Sequence, residues 1–554
     1  MSERHAFVPL RYQPELPIDR LILAQPVGAE SIAIDVLFVG AGPAGLAGAI
    51  ELAKLVRKDN EAGGGLGDVR IAVLEKASAL GEHNLSGAVV NPGPFRELFA
   101  DVSPSELPFR GTVTKERVYL LTRGSALRIP TPPTMKNRGN RIASISEIVR
   151  WMGERAEAMG IDVFTGFPAA SLLVEGTRVI GVRTTPSGLA RDGSPRAGAA
   201  PATDLVATVT ALSEGTRGTL AQAYCKWQGI ASPNPQIFAL GVKELWETKV
   251  PLSGVVHTLG WPLPRGVFGG TFLYPLEPNL LALGIVVGLD SGDASLDVHE
   301  LLQRTKTHPF FRRHLEGGML VEWGAKTIPE GGFYSIPARR HGDGLVILGD
   351  SAGFVDVPSL KGIHYAVQSG MFAARAIFSA LKQGDTSAAA LQAYDRLVDE
   401  SFIRDDLFRR RNMRLAFKRG FYRGGLGSAV MSLTAGRFPS PHIPVEPDAA
   451  IPRNVGCTTE FVPDNRLTFS KPDAVFRSGN ATRDDIPSHL IVGGDVPVEI
   501  ADFYAHMCPA GVYERDGDRL VVNPSNCVDC KATDVLGPRW TPREGGSGTR
   551  YRRM

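Results

Sequence analysis

VGAGPAGLAGAIELAK, residues 39–54, is the stretch whose reading decides the fold. Gly40, Gly42 and Gly45 form a GxGxxG pattern. The first glycine permits a tight turn, the second lets backbone amides approach a pyrophosphate, and the third lets a helix pack closely on a strand. By itself the pattern is weak, and context strengthens it. It follows a short apolar run, residues 34–39, and opens a segment of helical spacing through Lys54, as at the start of a βαβ unit. A second buried-strand pattern, residues 70–74, ends in Glu75, whose carboxylate can accept hydrogen bonds from nucleotide ribose hydroxyls. The loop EAGGGLGD, residues 61–68, explains why this acid lies beyond the usual spacing of about 20 residues. Val39, Gly40, Ala41, Gly42, Pro43, Ala44, Gly45, Glu75 and Lys76 are therefore candidate cofactor contacts.

The 554-residue chain is too long for one ordinary core, since single cores stop growing at about 250–300 residues. Two or three structural units are expected. Its 43% hydrophobic and 21% charged content is that of a globular enzyme, and no run of about 18 apolar residues suggests a membrane span. The first residues lack the apolar core and cleavage site of a secretory signal, so the expected location has no signal peptide behind it. Five cysteines are too few for a disulfide framework. Cys508, Cys527 and Cys530 lie close together near the C-terminus, where metal binding is the better reading.

Farther along, residues 107–141 read as strands and turns, 145–159 as a helix, 186–203 as an exposed hairpin loop and 205–212 as a buried strand. Strand-like runs recur between residues 241 and 337 and argue a separate sheet-rich domain. A proline-rich stretch at 443–465 marks the boundary of a compact last module.

LVILGDSAGFVDVPSLKGIHYAVQSG, residues 345–370, is again a strand, a glycine-rich turn and a helix. With ALSEGTRGTL, residues 211–220, it resembles the glutathione-reductase-like fold. That resemblance implies a discontinuous FAD domain, with Gly349 and Asp350 at the flavin's ribityl chain and Gly362 beside it. Longer blocks narrow the likeness: GEHNLSGAVVNP (81–92), GVKELWE (241–247), HTLGWPL (257–263), GGTFLYPL (269–276), HPFFRRHLEGG (308–318) and CPAGVYE (508–514). They resemble the electron transfer flavoprotein-ubiquinone oxidoreductase family across nearly the whole chain.

The resemblance implies a mixed α/β and α+β protein. A glutathione-reductase-like FAD domain would occupy 1–235 and 339–443, a sheet-rich quinone-binding domain 236–338, and a ferredoxin-like iron-sulfur domain 444–554. Leu85, Ser86 and Gly87 would also meet the flavin, and Gly269 and Gly270 the ubiquinone head group. The implied partners are electron transfer flavoprotein, ubiquinone or menaquinone, and membrane lipid in monotopic contact, at the cytoplasmic face of the inner membrane in a bacterium. The region beginning at His83 and the apolar stretch 424–436 would be the two membrane-dipping surfaces. Arg409, Arg410, Arg411, Arg414, Lys418, Arg419 and Arg423 flank the second and would suit anionic headgroups.

Cys508, Cys527 and Cys530 match three of the family's four ligands to a 4Fe-4S cluster, and Thr533 stands at the fourth place. A cluster with one non-cysteine ligand, a three-iron cluster and no cluster are all compatible with this, the first being expected because the rest of the module is family-like. Asp529, Asp534 or water could fill the open iron site. Asp356 stands where the family has asparagine, and beside a flavin its charge would lower the potential. The implied reaction takes electrons singly, stores a pair and delivers it to quinone, with no acid-base triad and with protons from solvent or unassigned groups. An FAD-dependent reductase or hydroxylase of a lipid, or a non-catalytic FAD-binding homologue with a degenerate cluster site, are the competing readings.

Overall fold

Strand Ser31–Val39 is apolar on both faces through its last four residues, as a strand at the centre of a covered parallel sheet must be. The computed structural model describes residues 6–554 except 29, 88, 439–440 and 457–460, and leaves the side chains of 419, 421 and 422 undescribed. Ser31–Val39 is flanked in parallel by Asp204–Leu212 and Ile71–Glu75, with Asp162–Thr165 beyond the latter. Leu345–Ile347 joins the far side of Asp204–Leu212, also in parallel. The sheet of the expected FAD domain is thus assembled from distant parts of the chain. Helix Pro43–Glu61 packs on helix Ile363–Gln383, and their backbones approach so closely that a Cβ on Gly370 would stand 2.9 Å from the Gly48 nitrogen.

A second, seven-stranded sheet runs in the order Met319–Pro329, Phe238–Glu247, Leu280–Gly288, Gly269–Glu277, Val255–Gly260, Glu116–Leu121, Ala126–Ile129. Its last two strands come from within the stretch read as FAD domain, because Val255–Gly260 pairs in parallel with Glu116–Leu121. A pairing between strands that far apart leaves no local mark in the sequence. The C-terminal module shares a core with this sheet, where Ile500, Phe503 and Tyr504 are buried with Trp246 and Trp323. Its last residues fold back on the first domain, and Ser144 Oγ donates to the Met554 carbonyl at 3.1 Å.

Among the described residues no helix is long and apolar enough to cross a membrane. Helix Phe421–Leu433 leaves Leu426 and Leu433 exposed at 69% and 83%, with Phe438 at 61% beyond it. The basic flank differs from the sequence reading. Arg414 is buried on Glu330 and Asp290, Lys418 pairs with Asp290 at 2.7 Å, and Arg411 donates to the Phe408 and Gly436 carbonyls. Arg410 is bound to Asp356. Arg409 and Arg423 remain exposed, and the Arg419 side chain lies outside the described residues. Arginine close to buried carboxylates goes to them rather than to water, because an unpaired buried charge is costly.

Candidate functional site

The glycine turn opens onto a cavity of about 350 Å³ that lies between the two sheets and reaches the C-terminal module. Its first wall is the turn. Gly40 has φ +107°, and a Cβ there would stand 2.5 Å from the Ser213 carbonyl oxygen. Ser213 Oγ lies within hydrogen-bond reach of the Val39 and Gly40 carbonyls, at 2.9 and 2.8 Å, locking the turn to the neighbouring strand. Helix Pro43–Glu61 then begins with its free amides at the cavity, the arrangement that suits an anion. Glu75 accepts from the Ala41 and Ala77 amides at 3.2 and 2.9 Å, which fixes its carboxylate at the wall.

Of the sequence-derived contacts, Val39, Gly40, Gly42, Pro43, Ala44, Glu75, Lys76, Leu85, Ser86, Gly87, Asp350 and Gly362 line this cavity. Ala41, Gly45 and Gly349 do not. They are buried behind the wall, Gly45 against the Gly40 carbonyl and Gly349 with its amide on Ser369 Oγ at 3.1 Å. Burial raises the Asp350 carboxyl to about 6, against the opposing pull of Lys326. Gly269 and Gly270 also stand outside the lining, one strand away, paired with Val287 and Val286, of which Val286 lines the cavity. His83, the first residue of one of the two expected membrane-dipping regions, lines the cavity with a buried side chain. Asp356 does not reach the cavity. Its carboxylate is held by Arg410 and accepts from the Ser359 amide at 3.2 Å, so the expected effect of an uncompensated charge on a flavin loses its basis.

The opposite wall was not legible in the sequence. Lys243 and Lys531, both buried, and the half-buried Lys326 line the cavity, and desolvation lowers them to about 7, 8 and 8 for Lys243, Lys326 and Lys531 in turn. Lys326 Nζ donates to the Asp529 carbonyl at 3.1 Å and Lys531 Nζ to the Arg217 carbonyl at 2.9 Å. Trp540 lines the same wall between the ammonium groups of Lys76 and Lys531, 4.9 and 4.3 Å from its ring, and its indole N–H donates to Asp529 Oδ1 at 3.0 Å. The only sequence signal for these groups was a lysine inside an apolar strand, as in GVKELWE.

Asp529 lies between Cys527 and Cys530 and also binds Lys76 and, at 3.0 Å, Arg543. The thiols of Cys508, Cys527 and Cys530 are all buried, and burial raises the proton affinity of each, Cys527 to about 12, with Cys508 adding to the rise at Cys527 and both adding to it at Cys530. Backbone amides oppose that rise, those of Val512 and Ala510 at Cys508, Asp529 at Cys527 and Ala532 at Cys530. Buried sulfurs that face one another and accept amide hydrogen bonds are what an iron-sulfur cluster needs, so the site fits one through three corners. Around the fourth lie Thr533 and the buried Tyr513 hydroxyl, whose electrostatic neighbours include Cys508 and Cys527. Neither carboxylate considered from sequence is free: Asp529 is engaged as described, and Asp534 is held by Arg217 and the Trp540 amide. His489, with both ring nitrogens buried and unpartnered, lies with Cys527 and Asp529, their ligand atoms within 4.8 Å of one another. Cys225 sits apart on helix Thr219–Trp227, and Cys457 lies outside the described residues.

Two family models match parts of the chain. A family model described as ETF-QO, ubiquinone-binding, matches residues 238–328. One described as electron transfer flavoprotein-ubiquinone oxidoreductase, 4Fe-4S, matches residues 465–552. The chain is 37% identical over 550 residues to the mitochondrial electron transfer flavoprotein-ubiquinone oxidoreductase of Oryza sativa subsp. japonica, covering 95% of this chain and 93% of that protein. It is 37% identical over 555 residues to the Homo sapiens mitochondrial protein of the same name, covering 94% and 89%. Among solved structures, a geranylgeranyl bacteriochlorophyll reductase-like protein from Thermoplasma acidophilum superposes with a TM-score of 0.56 at 18% identity, over 74% of this chain and 98% of that one. A myxobacterial FAD-dependent chondrochloren halogenase does so with 0.51 at 18%, over 76% and 95%. These last two establish the fold alone.

Proposed function

The chain belongs to the electron transfer flavoprotein-ubiquinone oxidoreductase family, and from that premise we propose how its own residues serve the reaction. The protein passes electrons from reduced electron transfer flavoprotein to ubiquinone, with FAD and an iron-sulfur cluster as cofactors. When bound, FAD handles one- or two-electron steps and the cluster single electrons. Gly42 and Ala44 present amides to the pyrophosphate from the turn that Gly40 and Pro43 shape, Glu75 accepts from the adenosine ribose, and Leu85 to Gly87, Asp350 and Gly362 surround the rest of the flavin. Cys508, Cys527 and Cys530 hold the cluster. Gly269 and Gly270 receive the quinone head group, ubiquinone or menaquinone. The domain limits are those read from the sequence, with residues 116–129 added to the quinone-binding unit.

The observation that carries this reading is a shared wall. Lys326 and Trp540 line the cavity and both hydrogen-bond Asp529 in the cysteine loop, so the two cofactor sites are separated by little more than one layer of side chains. The test is anaerobic purification with an iron count and electron paramagnetic resonance, followed by addition of reduced electron transfer flavoprotein and a short-chain quinone. Bound flavin, a cluster signal and quinone reduction are expected. A flavin-replete, iron-containing protein that leaves the quinone oxidised would sink the reading.

Membrane contact through helix Phe421–Leu433 completes it, at the cytoplasmic face of the inner membrane in a bacterium. Its support is the exposure of Leu426, Leu433 and Phe438 beside Arg423 and Arg409, an apolar face with basic neighbours of the kind that settles into a headgroup layer. Replacing Leu426 and Leu433 by aspartate is expected to weaken binding to anionic vesicles at least about tenfold, measured by co-sedimentation. Undiminished binding would exclude this helix as the contact.

A further inference from the structure

We propose that Lys243 is the proton donor to the quinone. The proposal rests on the reading that this cavity takes FAD and a quinone, and it concerns a step for which that reading supplies no acid. Strand alternation in Phe238–Glu247 sends Lys243 and Glu244 to opposite faces of the sheet. Glu244 faces the core, where its carboxylate meets the buried ammonium of Lys306 at 2.9 Å. Lys243 is equally buried, at 1% exposure, yet it lines the cavity, and its Nζ donates to one neutral acceptor, the Ser86 carbonyl, at 3.0 Å. It has no carboxylate at ion-pair distance among the described residues. Lys306 is thus a structural charge with its counter-ion. Lys243 has no carboxylate in contact, and the Glu322 charge that opposes its desolvation acts from beyond ion-pair distance.

Register carries the argument to the quinone. Lys243 stands opposite Gly284, and Gly284 opposite Phe272; two residues along, Gly241 stands opposite Val286, and Val286 opposite Gly270. Gly241, Lys243, Phe272 and Val286 line the cavity together, so the lysine shares one sheet face with the glycine that receives the quinone. As the electron pair collected from two reduced donor molecules enters the quinone, one carbonyl oxygen takes a proton from the Lys243 ammonium and the other takes one from solvent. Quinone, two electrons and two protons give quinol. The neutral amine then recovers its proton from solvent.

Among the described residues, the other titratable groups on the elements around Lys243 include Glu322 and Lys326 on strand Met319–Pro329, Tyr274 on strand Gly269–Glu277, kept neutral by burial, His83 on the Ser86 loop, and Tyr551 on the C-terminal stretch. Glu322 accepts from the Arg552 and Arg553 amides. Burial keeps His83 and Tyr551 neutral, and Lys326 is engaged by the Asp529 carbonyl. Desolvation lowers Lys243 to about 7, where an amine gives up its proton readily and regains it.

Lys243→Met and Lys243→Arg separate a proton donor from a fixed charge, since arginine keeps the charge and does not release its proton. In both variants the rate of quinone reduction, taken relative to the rate at which the bound flavin accepts electrons from reduced electron transfer flavoprotein, is expected to fall about a hundredfold or more. Wild-type quinone reduction should slow as pH rises past neutrality, and this dependence should vanish in Lys243→Met. Quinone reduction by Lys243→Met close to the wild-type rate, or restored in Lys243→Arg, overturns the proposal. If neither variant retains flavin, the wild-type enzyme decides: quinone reduction insensitive both to pH and to deuterated solvent overturns it. Failure of the wild-type enzyme to reduce quinone at all would instead overturn the functional reading on which the proposal rests.

Discussion

Gly45→Ala is expected to yield protein without flavin. A Cβ at this position falls well inside van der Waals contact of the Gly40 carbonyl oxygen and 2.6 Å from Ser213 Oγ. The Gly40 carbonyl cannot retreat, because the Gly40 amide is bound to the Leu74 carbonyl at 2.8 Å and its oxygen is within hydrogen-bond reach of Ser213 Oγ at 2.8 Å. The helix must therefore move away from the strand, at a cost of about 3 kcal/mol or more. It takes with it the amides that face the pyrophosphate. Visible absorbance of the purified variant measures the loss, and circular dichroism with thermal unfolding confirms that the chain has folded. Gly124→Ala, in open space, is the matched control. Near-stoichiometric flavin in Gly45→Ala would show that the turn does not set the binding geometry.

Cys530→Ala should abolish iron incorporation. With Thr533 at the fourth place, three thiolates already stand at the lower limit for a retained cluster, and Cys530 faces the other two. Thr533→Cys should act in the opposite sense, keeping the iron and changing the electron paramagnetic resonance spectrum of the reduced protein, because one iron exchanges a weak or exogenous ligand for a thiolate. Iron and acid-labile sulfide are counted in each variant. An unchanged iron content in Cys530→Ala would remove that thiol from the ligand set. An unchanged spectrum in an iron-replete Thr533→Cys would place the fourth iron out of reach of residue 533.

Sequence alone determined the features whose chemistry is local. The turn at Gly40 to Gly45 needs its glycines within a few residues of one another, the strands around it are buried on both faces and so read as apolar runs, and Cys527 and Cys530 stand in one short loop. Tertiary structure decided what depends on pairing between distant segments. The recruitment of Glu116–Leu121 and Ala126–Ile129 into the second sheet, the burial of Arg411 and Arg414 away from a headgroup layer, and the neutralisation of Asp356 by Arg410 each required a partner far along the chain or across the fold. The same holds for Lys243. Its type and position were visible from the start, but strand alternation alone could not tell a lysine beside a counter-ion from one beside a single carbonyl, and that difference in solvation is what separates a structural charge from an acid.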